Sequence, residues 1–210
     1  MKKLFLSLIF FTPLLCLAQN EGGKLVGSAG AGLGIYHTYN TDLTNNTPSV
    51  KDTAGAWVFP LMVEYFPAFN GSLAGKFGIG GGFKYSNYIE GKDSSALGVN
   101  GFDLQIKPAF HFLNKKKIDM SVHALAGATY ISYKSNDLDD VKGSGFGALF
   151  GGGLNMRIYF TDIFGMYIDY TYHSFTYNDI RISNTNGDHL DVKVKFNGGN
   201  VGLGLVFRLN

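Results

Sequence analysis

The chain has 210 residues, among them 29 glycines, with 15 % aromatic and 16 % charged residues and a formal net charge of +2. That composition suits neither a disordered chain nor a helical membrane protein. Without Lys2 and Lys3 of its basic start, 16 basic residues face 16 acidic ones, so a nucleic-acid partner has no electrostatic basis.

Residues 1–18 have the form of a signal peptide: Lys2 and Lys3, an apolar run from Leu4 to Leu15, and Ala18 before Gln19. Cys16 raises the alternative of a lipidated cysteine. Leu15 occupies the preceding place, where a small residue is wanted, so cleavage after Ala18 is expected. Residues 19–210 then hold no cysteine and no disulfide. They also offer no run of ~18 apolar residues for a transmembrane helix, so a membrane location would require a closed barrel.

Period-two alternation with one uncharged face recurs eight times. The first segment, about Leu25 to His37, is poor in large side chains. The second aligns Trp57, Phe59, Leu61, Val63 and Tyr65. The third aligns Leu73 to Tyr85 at odd positions, against Lys76 and Lys84. The fourth sets Phe102, Leu104, Ile106, Pro108, Phe110 and Phe112 against Asp103, Gln105, Lys107 and His111. The fifth, about Ile118 to Tyr133, is again poor in bulk. The sixth sets Phe146, Phe150, Leu154, Met156, Ile158 and Phe160 against Asn155 and Arg157. The seventh sets Met166, Ile168, Tyr170 and Tyr172 against Asp169 and His173, and the last runs Val201, Leu203, Leu205, Phe207, Leu209.

Connections alternate in length. Residues 66–72, 114–117 and 161–164 are short turns, whereas 38–53, 87–100, 134–144 and 178–193 are long and polar. Short periplasmic turns and long outer loops are the pattern of outer-membrane barrels. The expected fold over residues 19–210 is therefore all-β: an eight-stranded antiparallel up-and-down transmembrane β-barrel. A secreted lipocalin-type barrel, with its apolar face turned inward, is the soluble alternative. The aromatic strand ends and the charged, glycine-rich second face oppose it.

Eight strands leave an interior only wide enough for side chains. Hairpin arithmetic places Arg157 opposite Asp169, Glu64 opposite Lys76 and His111 opposite Asp119. With Lys84 and Lys107, these residues form a candidate lumen network, since a buried charge without a partner costs several kcal/mol. Lys76, Lys84, Lys107, Arg157 and Asp169 could alternatively line a narrow ion path.

In the last outer loop Ile180, Ile182, Leu190 and Val192 continue the alternation around Asn186-Gly187, a turn-favouring dipeptide. They suggest a protruding ribbon whose free edge accepts a partner strand. A change of apolar parity between Phe196 and Val201 suggests a bulge in residues 197–200. The glycine runs 78–82 and 151–153 precede no helix and fit close strand packing better than phosphate binding. The five histidines lack tight ligand spacing, so neither a metal nor another cofactor is expected.

With these segments and the ending Gly-Leu-Gly-Leu-Val-Phe-Arg-Leu, residues 202–209, the chain resembles the small OmpA/OmpX-type outer-membrane barrels. With the Ala18-Gln19 junction it is similar to those of Bacteroidetes-like bacteria. The resemblance implies an outer-membrane location, contact with outer-membrane lipid and lipopolysaccharide, and assembly by the barrel assembly machinery. That ending resembles the β-signal, although Asn210 stands where an aromatic residue is usual. Asp52-Thr53-Ala54 resembles the short O-glycosylation signal of Bacteroidetes. Some such barrels modify lipid A with a His and a Ser two positions apart; here Ser174 follows His173 directly, and alternation sends the two to opposite faces. No enzyme activity is expected. The functional expectation is an envelope-supporting or partner-binding barrel, alone or as an accessory subunit of a larger complex, with a narrow channel as the alternative.

Overall fold

A computed structural model describes residues 23–43, 50–69, 73–89, 97–135, 142–183 and 189–209. The expected signal peptide and the Asn186-Gly187 dipeptide lie outside these residues. Eight strands follow in chain order: β1 (Leu25–Asp42), β2 (Val50–Tyr65), β3 (Phe77–Ile89), β4 (Leu97–Asn114), β5 (Ile118–Ser135), β6 (Lys142–Tyr159), β7 (Phe164–Ser183) and β8 (His189–Leu209). Each pairs antiparallel with its neighbour, and β8 pairs with β1 to close the ring.

The strands are longer than the lipid-facing alternation alone indicates. A tilted strand needs about 9–11 residues to cross a bilayer, yet β7 has 20 and β8 has 21. The extra length reflects an inversion of the barrel along its axis. Near the short turns, Leu61, Ile79, Ile106, Leu154, Leu203 and their neighbours are exposed on the outside. Toward the long connections the outward positions turn polar. There Asn87 and Tyr85 donate to Asn100 at 3.0 and 2.6 Å, and Ser174 donates to Asn197 at 2.8 Å.

The interior changes in the opposite sense. Tyr36, Tyr88, Phe175, Tyr177, Phe196, Ile180, Val192 and Val194 are buried inside the outer half. The outer half thus has the sidedness of a water-soluble barrel, and the other half that of a membrane one. Aromatic contacts mark both edges of the apolar belt. Tyr85–Phe102 (5.1 Å) and Tyr130–Phe146 (4.9 Å) lie on the outer edge, Phe77–Phe110 and Phe164–Phe207 (both 5.3 Å) near the short turns. Such rings suit the membrane–water interface.

The inversion corrects two expectations. The ladder of β8 is unbroken through residues 197–200 against both β1 and β7, and the register slip lies in β7, between Tyr177 and Ile180. Val194, Phe196 and Asn200 all point inward, and Val201 and Leu203 outward. The apolar set passes from lumen to lipid without any change of strand parity. Among the described residues the edges of the ribbon are largely paired, against the expected free edge: β1 accompanies β8 as far as Asp42 opposite Val192, and β6 accompanies β7 as far as Lys142 opposite Ser183. Ile180 and Val192 are buried in the lumen core, and Ile182 packs against it. Leu190 lies in β8 opposite Ile182.

Candidate functional site

The lumen is filled in layers, and its polar layers carry seven of the eight lumen residues read from the sequence. Closest to the short turns, Val26, Phe66, Tyr159, Tyr167 and Val206 form an apolar base. The Arg208 guanidinium lies 3.5 Å from the centre of the Tyr159 ring.

Above the base, Arg157 of β6 binds Glu64 of β2, and its second nitrogen donates to Asp119 at 3.2 Å. His111 of β4 bridges the same two acids, with Nε2 at 2.9 Å from Glu64 and Nδ1 at 2.6 Å from Asp119. Each ring nitrogen of His111 thus faces a carboxylate oxygen. Phe66 covers this ring, with 4.7 Å between centroids. All four polar side chains are buried. Gly78 makes the arrangement sterically feasible, because a Cβ at that position would overlap the Glu64 carboxylate.

In the next layer the Lys107 ammonium lies 3.2 Å from Asp169, which also accepts from Asn155 at 3.0 Å and from the Thr171 hydroxyl. His123 contacts Thr171 at 3.1 Å. The third layer pairs Lys84 with Asp103 at 3.0 Å. Lys84 also donates to His173 Nε2 at 3.2 Å. Thr129 donates to Asp103 at 2.5 Å, and its hydroxyl lies 2.7 Å from that of Tyr177. Tyr177 belongs to the aromatic plug, so this last chain ties the polar layers to the apolar outer half. In the three polar layers Lys84, Lys107, His111 and Arg157 face Glu64, Asp103, Asp119 and Asp169, and Arg208 lies below them in the base. A low-dielectric lumen favours such pairing of buried charges.

The pairings differ from those expected from hairpin arithmetic. Glu64 faces Gly80, and Lys76 lies outside the lumen layers, in the turn before β3. Arg157 faces Tyr167 across the β6–β7 ladder, and Asp169 faces Asn155. His111 faces Ser121 because the ladder slips between His111 and Leu113, yet its ring reaches Asp119. Turn length shifts each hairpin, and long side chains then find partners across the lumen. Asp103, Thr129, Asn155, Thr171, His123 and His173 complete the network. Their shared signal is the strand parity they have in common with Lys107, Asp119, Arg157 or Asp169.

Ser174 points outward to Asn197, away from His173 in the lumen. Among the described residues no group of three or more His, Cys, Asp or Glu side chains is arranged to hold a metal ion.

No family model and no curated protein sequence matches the chain. Its likeness to solved structures lies in shape. Outer membrane protein OprG from Pseudomonas aeruginosa is 11 % identical, with a TM-score of 0.56 over 92 % of this chain and 99 % of that one. Outer membrane protein AlkL, solved in DMPC lipid bilayers, is 14 % identical, with a TM-score of 0.56 over 92 % of this chain and 93 % of that one. The outer membrane protease OmpT from Escherichia coli is 9 % identical, with a TM-score of 0.54 over 92 % and 99 %. At these identities the likeness is one of fold.

Proposed function

We propose that this protein is a non-conducting outer-membrane barrel that works through its outward connections, as an envelope-supporting or partner-docking module rather than an enzyme. The observation that carries the reading is the doubly closed lumen. The Glu64–His111–Asp119–Arg157 layer shuts one half with buried ion pairs, and the Tyr36, Tyr88, Phe175, Tyr177 and Phe196 rings shut the other. The likeness in shape to OprG and AlkL supports the outer membrane as its location. The polar-sided outer half supports a role at the surface, because it carries the connections beyond the apolar belt.

A narrow ion path is the second reading, favoured by the continuous set of charged lumen residues from Arg157 to Lys84. Planar-bilayer recording separates the two. A silent bilayer for both the wild type and Arg157→Ala agrees with the closed barrel, and conductance that changes in Arg157→Ala would overturn it. Mild-detergent purification from native membranes then tests docking: a stoichiometric protein partner supports it, and a solitary barrel leaves the envelope role. Unchanged lipid A acylation in cells lacking the protein is expected, since no paired His and Ser share a face of β7.

A further inference from the structure

The outside of the barrel is not uniform in relief. Between β3, β4 and β5, on the side of the short turns, the apolar belt is cut by a groove of about 680 Å³. Pro108 of β4 and Ala124 of β5 lie along its floor. The β4–β5 ladder pairs Ile106 with Ala126 and resumes at Ala109 with His123, passing over Pro108, which has no N–H to donate. Its walls are Phe77, Ile79 and Val122, with Phe69 over the end nearest the turns. The Phe77 ring lies 6.0 Å from Phe69 and 5.3 Å from Phe110, so the groove starts at the aromatic edge of the belt and runs into it.

Lysines predominate at that edge. Lys76 directly precedes Phe77, and Lys115, Lys116 and Lys117 make up the β4–β5 turn. The two turns are held side by side: Asn114 donates to the Gly75 carbonyl and the His111 amide to the Lys76 carbonyl, both at 2.7 Å. Lys116 takes Asp162 at 3.1 Å. Among the described residues Lys76, Lys115 and Lys117 pair with no acid.

We infer that β3–β5 form a seat for one anionic glycerophospholipid of the periplasmic leaflet, its phosphate held by Lys76, Lys115 and Lys117 and one acyl chain lying in the groove. An acyl chain matches an apolar cleft continuous with the lipid-facing belt, and a negative headgroup matches the unpaired lysines where the cleft opens. The inference rests on the membrane reading given above.

The test is native mass spectrometry of the detergent-purified full barrel, equilibrated with equimolar phosphatidylglycerol and phosphatidylethanolamine. Wild type is expected to retain one phosphatidylglycerol in at least about tenfold preference over phosphatidylethanolamine. The triple variant Lys76→Gln, Lys115→Gln, Lys117→Gln should bring the two lipids to parity. Ala124→Phe, which fills the groove from the lipid side, should lose the retained lipid of either kind. Lys134→Gln with Lys142→Gln, at the opposite end of the barrel, should keep the preference. Equal retention of the two lipids by wild type, or an unchanged preference in the triple variant, would overturn the seat while leaving the membrane barrel standing. A barrel that folds and stays monodisperse without detergent or lipid would instead overturn the membrane reading beneath it.

Discussion

Arg157 on β6 and Glu64 on β2 lie on opposite sides of an eight-strand ring and meet in its centre, 93 residues apart in sequence. Their contact braces the barrel across its diameter, and His111 and Asp119 close the same cluster. Arg157→Leu would leave two buried carboxylates facing only His111. Removing one member of a buried pair costs about 3–5 kcal/mol, and that loss is expected in urea unfolding of the reconstituted barrel. Adding Glu64→Gln should recover part of it, because one orphaned charge disappears. A single-variant loss under about 1 kcal/mol would mean that the cluster does not brace the barrel.

The glycines of β3 test the same cluster sterically. A Cβ at Gly78 would overlap the Glu64 carboxylate, which Arg157 and His111 hold in place. Gly78→Ala should therefore destabilise by about 1–3 kcal/mol, as overpacking does. At Gly55 of β2 the nearest atom to an added Cβ is the Ile89 carbonyl oxygen at 3.8 Å, an ordinary contact. Gly55→Ala is expected to stay within about 0.5 kcal/mol of wild type. Equal effects of the two substitutions on the unfolding midpoint would remove the steric account of Gly78.

The strand count, the lipid face from Leu61 to Leu209 and the inward set of Lys84, Lys107, His111, Asp119, Arg157 and Asp169 are legible in the sequence. Parity alone specifies them. The partners were not legible, because a hairpin's register depends on its turn: Lys76 falls in the turn before β3, and the ladder slip at His111 realigns β5. Contacts across the lumen, such as Arg157 to Glu64, join strands that share no hairpin. The outer half was misread for a different reason. Val192, Val194 and Phe196 look like a continuation of a lipid face displaced by a bulge, when they belong to the buried core of the barrel's outer half.

The aromatic plug is a packed core and should respond as one. Phe175 is fully buried, lying 5.8 Å from Tyr36 and stacked 5.3 Å from His173, with the Lys84 ammonium 4.8 Å from its ring centre. Phe175→Ala should lower stability by about 3–5 kcal/mol, the usual cost of emptying a core aromatic site. It should nevertheless stay silent in planar bilayers, because the Glu64–Arg157 layer still closes the other half. Step-like conductance from Phe175→Ala alone would show that the plug is the only barrier and that the ion-pair layer passes ions.

The inversion of sidedness makes the effect of one substitution depend on height along the same strands. Ile106, 61 % exposed on β4, lies in the apolar belt, and so does Leu61, 57 % exposed on β2. Ile106→Arg and Leu61→Arg should each cost about 2–4 kcal/mol, the value for a cation near the bilayer midplane. Ser132 of β5 points outward higher up, beside Lys134, where Asn100 of β4 is its register partner. Ser132→Arg should therefore change stability by no more than about 0.5 kcal/mol, as at an ordinary wet surface. Inward positions should reverse the order. Val194→Asp would bury an unpaired carboxylate among Tyr177 and Phe196, whereas the belt half of the lumen already holds four acids with partners. The checking measurement is folding free energy of all four variants in lipid vesicles. If Ser132→Arg were as damaging as Ile106→Arg, the bilayer would have to extend over the outer half, and the inverted section would be membrane after all.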